Sequence, residues 1–229
     1  MEVSALAATI DHTVLKPDSS VEHVRALCRE AVTYRFASVC ILPWHVADAR
    51  HLLGNDAVAI CTVIGFPLGA STTSAKVHEA IDAIGNGAKE IDMVASITAL
   101  KSGQYDRLLS DVQQVTAAVH DHGAIVKVII ETCLLTHDEK LRMCEVVTTA
   151  GADFIKTSTG FSTGGATLDD VALLRQHVGP NVQVKASGGI RDVQTALAML
   201  NAGATRLGTS SGVTIVTAVT PDHQPDGVY

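Results

Sequence analysis

From end to end the chain alternates short apolar runs with longer segments whose apolar residues recur at three- and four-residue spacing. Strand–helix repetition of this kind dictates a parallel sheet covered by helices. Strands are expected at 8–14, 38–42, 57–65, 90–96, 125–132, 153–159, 182–188 and 205–210. Helices are expected at 21–34, behind the cap Asp18-Ser19-Ser20, and at 74–85, 106–120, 168–177 and 193–202. The Gly-Ala pairs at 87–88, 151–152 and 203–204 close helices just before strands. An open, doubly wound sheet and a closed barrel both satisfy this alternation. No Gly-x-Gly-x-x-Gly follows an early strand, which weakens the open, dinucleotide-binding form. No Pro- or Gly-rich linker divides the 229 residues, so the expectation is an α/β fold, a single (β/α)8 TIM barrel over 1–229.

The composition agrees and narrows the partners. Hydrophobic residues make up 47% and aromatics only 3%, so the core is built from Ala, Val, Ile and Leu, as strands buried on both faces require. The net charge of −7, without a basic block, argues against nucleic acid. The longest apolar stretch, near 57–70, carries Gly65, Pro67 and Gly69 and is too short to span a bilayer. Glu2, Asp11 and His12 leave no visible signal peptide, so a cytoplasmic location is expected. The five cysteines are odd in number and lie mostly in apolar segments, which suits reduced, buried thiols. No Cys-x-x-Cys or zinc-spaced His-Cys set occurs, and His120 and His122 read as a polar helix end. Neither a metal nor a cofactor is expected.

Four charges interrupt the apolar strands: Asp92 in Glu90-Ile91-Asp92-Met93-Val94, Lys127 in Val126-Lys127-Val128, Lys156 in Phe154-Ile155-Lys156-Thr157, and Lys185 in Val184-Lys185-Ala186. Strand side chains alternate with period two, so aliphatic neighbours turned to the helices aim these charges into the barrel. Unpaired buried charge is costly, and charges of both signs converging from four strands imply pairing or chemistry. A space-filling ion network is the structural alternative. Burial and a nearby cation both lower a lysine's pKa, and a neutral amine can attack a carbonyl. Lys156 and Lys185, on neighbouring strands, provide such a pair. The resulting imine is an electron sink that lets a carbon–carbon bond β to it break. Asp92 and Lys185 are then candidates for moving protons, with Lys127 grouped among the substrate-binding residues.

Three glycine-rich segments follow the last three strands: Thr157-Ser158-Thr159-Gly160, Ser187-Gly188-Gly189-Ile190 and Gly208-Thr209-Ser210-Ser211-Gly212. Late-strand loops of barrels often bind phosphate, with glycine letting the backbone approach the anion. Each segment alone reads first as a tight turn; together, at the ends of the last three strands, they point to a phosphate site.

At these residues the sequence resembles the deoxyribose-phosphate aldolase family. The segments that carry the resemblance are 11–17 (DHTVLKP), 39–41 (VCI), 90–94 (EIDMV), 127–132 (KVIIET), 154–160 (FIKTSTG), 184–190 (VKASGGI) and 208–211 (GTSS), in order along almost the whole chain. The resemblance implies metal-independent, reversible cleavage of 2-deoxy-D-ribose 5-phosphate to D-glyceraldehyde 3-phosphate and acetaldehyde, within deoxyribonucleotide catabolism. It makes Lys156 the Schiff-base lysine and gives Asp92 and Lys185 the proton-transfer roles. Thr13 would lie by the substrate hydroxyls, and Gly160, Gly188, Gly189, Gly208, Ser210 and Ser211 would line the phosphate site. Cys40 looks like the family's cysteine near the active site, or is simply a small buried hydrophobe. Where some members carry Lys after the Thr-Ser-Thr-Gly run, this chain has Phe161. Residues 221–229 read as a mobile tail; its Tyr229 matches a terminal Tyr that assists proton transfer in some members, the alternative being an inert tail. A homo-oligomer, dimer or larger, is implied. Two other functions fit the residues: a Schiff-base aldolase acting on a ketose phosphate, and a non-catalytic sugar-phosphate-binding barrel.

Overall fold

The computed structural model describes residues 2–219; Tyr229 and the rest of 221–229 lie outside the described residues. Eight strands form: β1 (Ile10–Val14), β2 (Ser38–Ile41), β3 (Ala59–Ile64), β4 (Glu90–Val94), β5 (Ile125–Ile129), β6 (Phe154–Lys156), β7 (Gln183–Ser187) and β8 (Arg206–Thr209). They pair in parallel in chain order, and β8 pairs back onto β1 to close the barrel. Every expected strand forms, shortened at one or both ends. β6 is cut most. Thr157–Thr159, expected to continue it, are instead buried loop residues: Thr157 Oγ1 donates to the Ser187 carbonyl at the end of β7, and Thr159 Oγ1 donates to Glu131 in the loop after β5.

The alternation within each strand divides the molecule into two interiors. Val39, Ile41, Ile60, Ile64, Ile91, Met93, Val126, Val128, Ile155, Val184 and Leu207 pack outward in one cluster with helix residues such as Val24, Leu108, Val112 and Leu174. A smaller apolar patch, Leu15, Cys40, Cys61 and Val63, forms apart from it. The helical shell dominates the stability, since each buried aliphatic side chain contributes about 1.5–3 kcal/mol. The interior of the barrel is therefore free to hold charge.

Helices Val21–Tyr34 and Leu168–His177 have the boundaries that periodicity indicates. Val46–Leu53 and His137–Ala150 form beyond what periodicity indicates. The second starts with a reciprocal cap: Glu139 N–H donates to Thr136 Oγ1 at 3.3 Å, and Thr136 N–H donates to Glu139 Oε2 at 2.7 Å. Gly151, at φ 72°, ends it in the left-handed conformation that glycine adopts without strain. Among the described residues no helix is long and apolar enough to cross a membrane.

Candidate active site

The strand register builds the site. Asp92 lies opposite Lys127 across β4 and β5, and Lys156 opposite Lys185 across β6 and β7. All four side chains are buried, Lys127, Lys185 and Asp92 completely. Asp92 is the hub: its Oδ2 accepts from Lys156 at 2.8 Å and from Lys185 at 2.7 Å, and its Oδ1 accepts from Lys127 at 2.8 Å.

Asp11, Glu90 and Arg206 complete the network. Lys185 donates to Asp11 Oδ2 as well as to Asp92. Lys127 pairs with Glu90 at 2.6 Å, and Arg206 bridges Asp11 at 2.6 Å and Glu90 at 3.0 Å. Four cations and three carboxylates thus satisfy one another within the barrel, as buried charge requires. Cys40, Cys61 and Asp92 bring ligand atoms within 4.8 Å of one another. The Lys127 ammonium already touches that set, 3.2 Å from Cys61 Sγ and 2.8 Å from Asp92.

The electrostatics fix most of these protons. Burial alone would raise the pKa of Asp92, but Lys127, Lys156 and Lys185 more than offset it and hold the carboxyl well below the usual range. Burial disfavours the charge on Lys185, yet Asp11 and Asp92 hold it above the usual lysine range. Lys127 behaves in the same way, through Asp92, Cys61, Asp11 and Glu90. Cys61, hydrogen-bonded to Cys40, holds the Cys40 thiol below its usual value. Lys127 and Lys185 thus rest as cations, each shared between carboxylates. Among the described residues Lys156 has one ion-pair partner, Asp92.

Lys156 is also the lysine of this cluster that reaches open space. A cavity of about 370 Å³ covers the C-terminal ends of the strands, and its walls include Lys156, Thr13, Gly160, Gly188, Gly189, Gly208 and Ser210. Asp92, Lys127, Lys185 and Cys40 sit below this wall rather than on it, and Ser211 stands just behind, its N–H donating to Thr209 Oγ1 at 2.9 Å. The loop after β6 is seated directly on the loop after β7. Ala166 N–H donates to the carbonyls of Ser187 and Gly188, at 3.0 and 3.1 Å. A Cβ on Gly165 would come within 2.3 Å of the Gly188 oxygen, so this close approach requires glycine. The backbone N–H groups of Gly160, Gly189 and Ser210 have no hydrogen-bond partner among the described residues. Unpartnered N–H groups at a cavity wall are what an anion needs.

The structure adds residues that sequence reasoning missed. Lys16 and Arg191 bring two exposed cations to the cavity, on the loops after β1 and β7. Lys16 stands two residues beyond β1, and Arg191 directly follows the Gly-Gly-Ile turn, so position after a strand was the available signal. Phe161 lines the same cavity, half exposed, and meets Phe66 edge to face at 5.3 Å. An aromatic wall thus follows the Thr-Ser-Thr-Gly run.

Known proteins match this architecture closely. The profile of the DeoC/LacD family aldolases matches residues 5–218. A deoxyribose-phosphate aldolase of Brevibacillus brevis is 56% identical over 208 residues, 91% of this chain and 93% of that protein. One from a Geobacillus species is 57% identical over 211 residues, 92% and 94% of the two chains. Among solved structures, the tetrameric deoxyribose phosphate aldolase of Aeropyrum pernix superposes with a TM-score of 0.89 at 35% identity, covering 95% of this chain and 92% of that one. With the match spanning nearly its whole length, the chain belongs to the DeoC/LacD family of aldolases.

Proposed function

We infer that this chain is a class I aldolase that reversibly cleaves 2-deoxy-D-ribose 5-phosphate to D-glyceraldehyde 3-phosphate and acetaldehyde through a lysine Schiff base. The observation that carries the assignment of the lysine is the contrast within the cluster. Among the described residues Lys156 lines the cavity with a single ion-pair partner, whereas Lys127 and Lys185 are each held by two or more carboxylates below it.

In this reading Lys156 Nζ, once it has given up a proton, attacks the C1 aldehyde. Loss of water from the carbinolamine leaves an iminium. A base then removes the proton of the C3 hydroxyl, the C2–C3 bond breaks, and its electron pair moves into the iminium to give the enamine. Glyceraldehyde 3-phosphate leaves. Protonation of the enamine at C2 and hydrolysis release acetaldehyde and restore the amine. Asp92 Oδ2 touches both Lys156 and Lys185, so protons can pass between the two nitrogens through one oxygen. Lys185 starts as the cation beside the reacting nitrogen, gives up a proton during the cycle and regains one at its end.

Thr13 faces the hydroxyl end, and the turns at Gly160, Gly188–Gly189 and Gly208–Ser211 take the phosphate, with Arg191 and Lys16 adding charge. Cys40 and Lys127 support the floor. The protein acts in the cytoplasm as a homo-oligomer. The test is direct: the purified chain, given 2-deoxyribose 5-phosphate, is expected to release acetaldehyde. Cleavage of a ketose phosphate instead would make it a different Schiff-base aldolase, and binding without cleavage would make it a sensor.

A further inference from the structure

A carboxyl group outside the Asp92 cluster stands at the mouth of the barrel. Glu131 follows β5 and is only 4% exposed, yet it pairs with no cation among the described residues. Its backbone is left-handed, at φ 52° and ψ 66°, a conformation unfavourable for a residue with a Cβ. Burial without a counter-ion and an unfavourable backbone persist together only where surrounding structure demands them.

Both features serve one contact. The Glu131 carboxyl accepts the backbone N–H of Thr159, 3.3 and 3.4 Å from its two oxygens, and also the Thr159 hydroxyl. Thr159 Oγ1 in turn accepts the N–H of Phe161 at 3.0 Å. A single side chain from the β5 loop thereby fixes Thr159, Gly160 and Phe161, three consecutive residues of the cavity wall. Between the two tethered residues, the Gly160 N–H has no partner among the described residues.

We propose that Glu131 is a positioning residue for phosphate recognition: through Thr159 it holds Gly160 in the cavity wall and so sets how strongly the phosphate end of the substrate is preferred. The proposal rests on the aldolase reading above. Glu131 touches neither Lys156 nor Asp92, so its effect falls on substrate preference rather than on imine chemistry.

The measurement is the ratio of kcat/KM for 2-deoxyribose 5-phosphate to that for unphosphorylated 2-deoxyribose. Removing the tether in Glu131→Ala is expected to lower this ratio about tenfold, the equivalent of one or two buried hydrogen bonds. Thr159→Val, which keeps the shape but loses the hydroxyl, is expected to do the same. Glu131→Gln keeps one acceptor oxygen and should lose less. A ratio within about twofold of the wild-type value in Glu131→Ala and Thr159→Val would overturn the proposal, even if both activities fell together. If Glu131→Ala does not fold, Thr159→Val reads the same link. Wild-type protein that cleaves neither sugar would instead defeat the aldolase reading itself, a separate outcome from an unchanged ratio.

Discussion

Lys156 and Lys185 face each other across β6 and β7, and their ammonium nitrogens bond to the same atom, Asp92 Oδ2, at 2.8 and 2.7 Å. In the proposed mechanism this shared oxygen divides labour between two chemically identical side chains. Lys185 is anchored on its far side by Asp11, while Lys156 opens onto the cavity. Lys185→Leu should therefore lower kcat by about 10²–10⁴-fold, the usual contribution of a positioned proton-transfer group. A borohydride-trapped adduct should still form on Lys156, more slowly. Transfer of the adduct site away from Lys156 in this variant would contradict the division of roles.

Asp92 should matter for folding as well as for chemistry. Asp92→Asn leaves three buried ammoniums short of a carboxylate and should destabilise the fold by about 3–5 kcal/mol. The folded-state pKa of Asp92 lies well below its ordinary 3.8. Its contribution is thus present above that ordinary value and is lost only as pH falls through the folded one, in strong acid. Lys127 and Lys185 are raised above 10.5, so their contributions are complete below that value and lost only at higher pH. The difference in melting temperature between wild type and Asp92→Asn should accordingly stay level from about pH 5 to 9. A difference that disappears on moving from pH 7 to 5 would show that the carboxylate is not held by these lysines.

The eight strands and their inward charges were legible because period-two alternation exposes a charge in an aliphatic run, as at Asp92, Lys127 and Lys185. Asp11, Glu90 and Arg206 escaped notice for the opposite reason. Each lies at or near the start of its strand beside other polar residues (Thr9 and His12, Lys89, Thr205), where a charge looks like the edge of a loop. His12 is the instructive neighbour: it points outward against Phe36, so polarity alone did not tell which residues of β1 face the barrel. The helix His137–Ala150 lacked a clean apolar stripe, although the Thr136…Glu139 capping signature was present. For Lys16 and Arg191 the one local signal was position after a strand, whereas the Glu131–Thr159 tether depends on how loops from separate strands meet, which no local pattern encodes.

The proposed function gives Arg191 a testable share of substrate binding. Its side chain has no partner among the described residues and it lines the cavity beside the Gly188–Gly189 turn. A charge-assisted hydrogen bond contributes about 1.5–3 kcal/mol, so Arg191→Leu should raise KM for the phosphorylated sugar roughly 10- to 100-fold. Inhibition by inorganic phosphate should weaken in parallel. An unchanged KM would remove Arg191 from the phosphate site.

The five thiols should separate by burial. Burial pushes Cys28 up to about 11 and Cys144 up to about 12, and Cys40 and Cys61 are enclosed in the barrel. Cys133 is exposed at the loop after β5. Brief treatment of native protein with iodoacetamide near neutral pH should label Cys133 alone, as read by peptide mass spectrometry. Labelling of Cys28 or Cys144 at a comparable rate would mean that the helical shell opens more readily than its packing implies.

In the proposed mechanism Lys156 is the nucleophile because it is the lysine of the cluster that meets the cavity. Borohydride reduction in the presence of 2-deoxyribose 5-phosphate or acetaldehyde, followed by peptide mapping, tests it most directly. A stable two-carbon or deoxypentose-phosphate adduct on Lys156, absent from Lys156→Met, is the predicted result. An adduct on Lys185, or substrate turnover with no trappable adduct on any lysine, would contradict it.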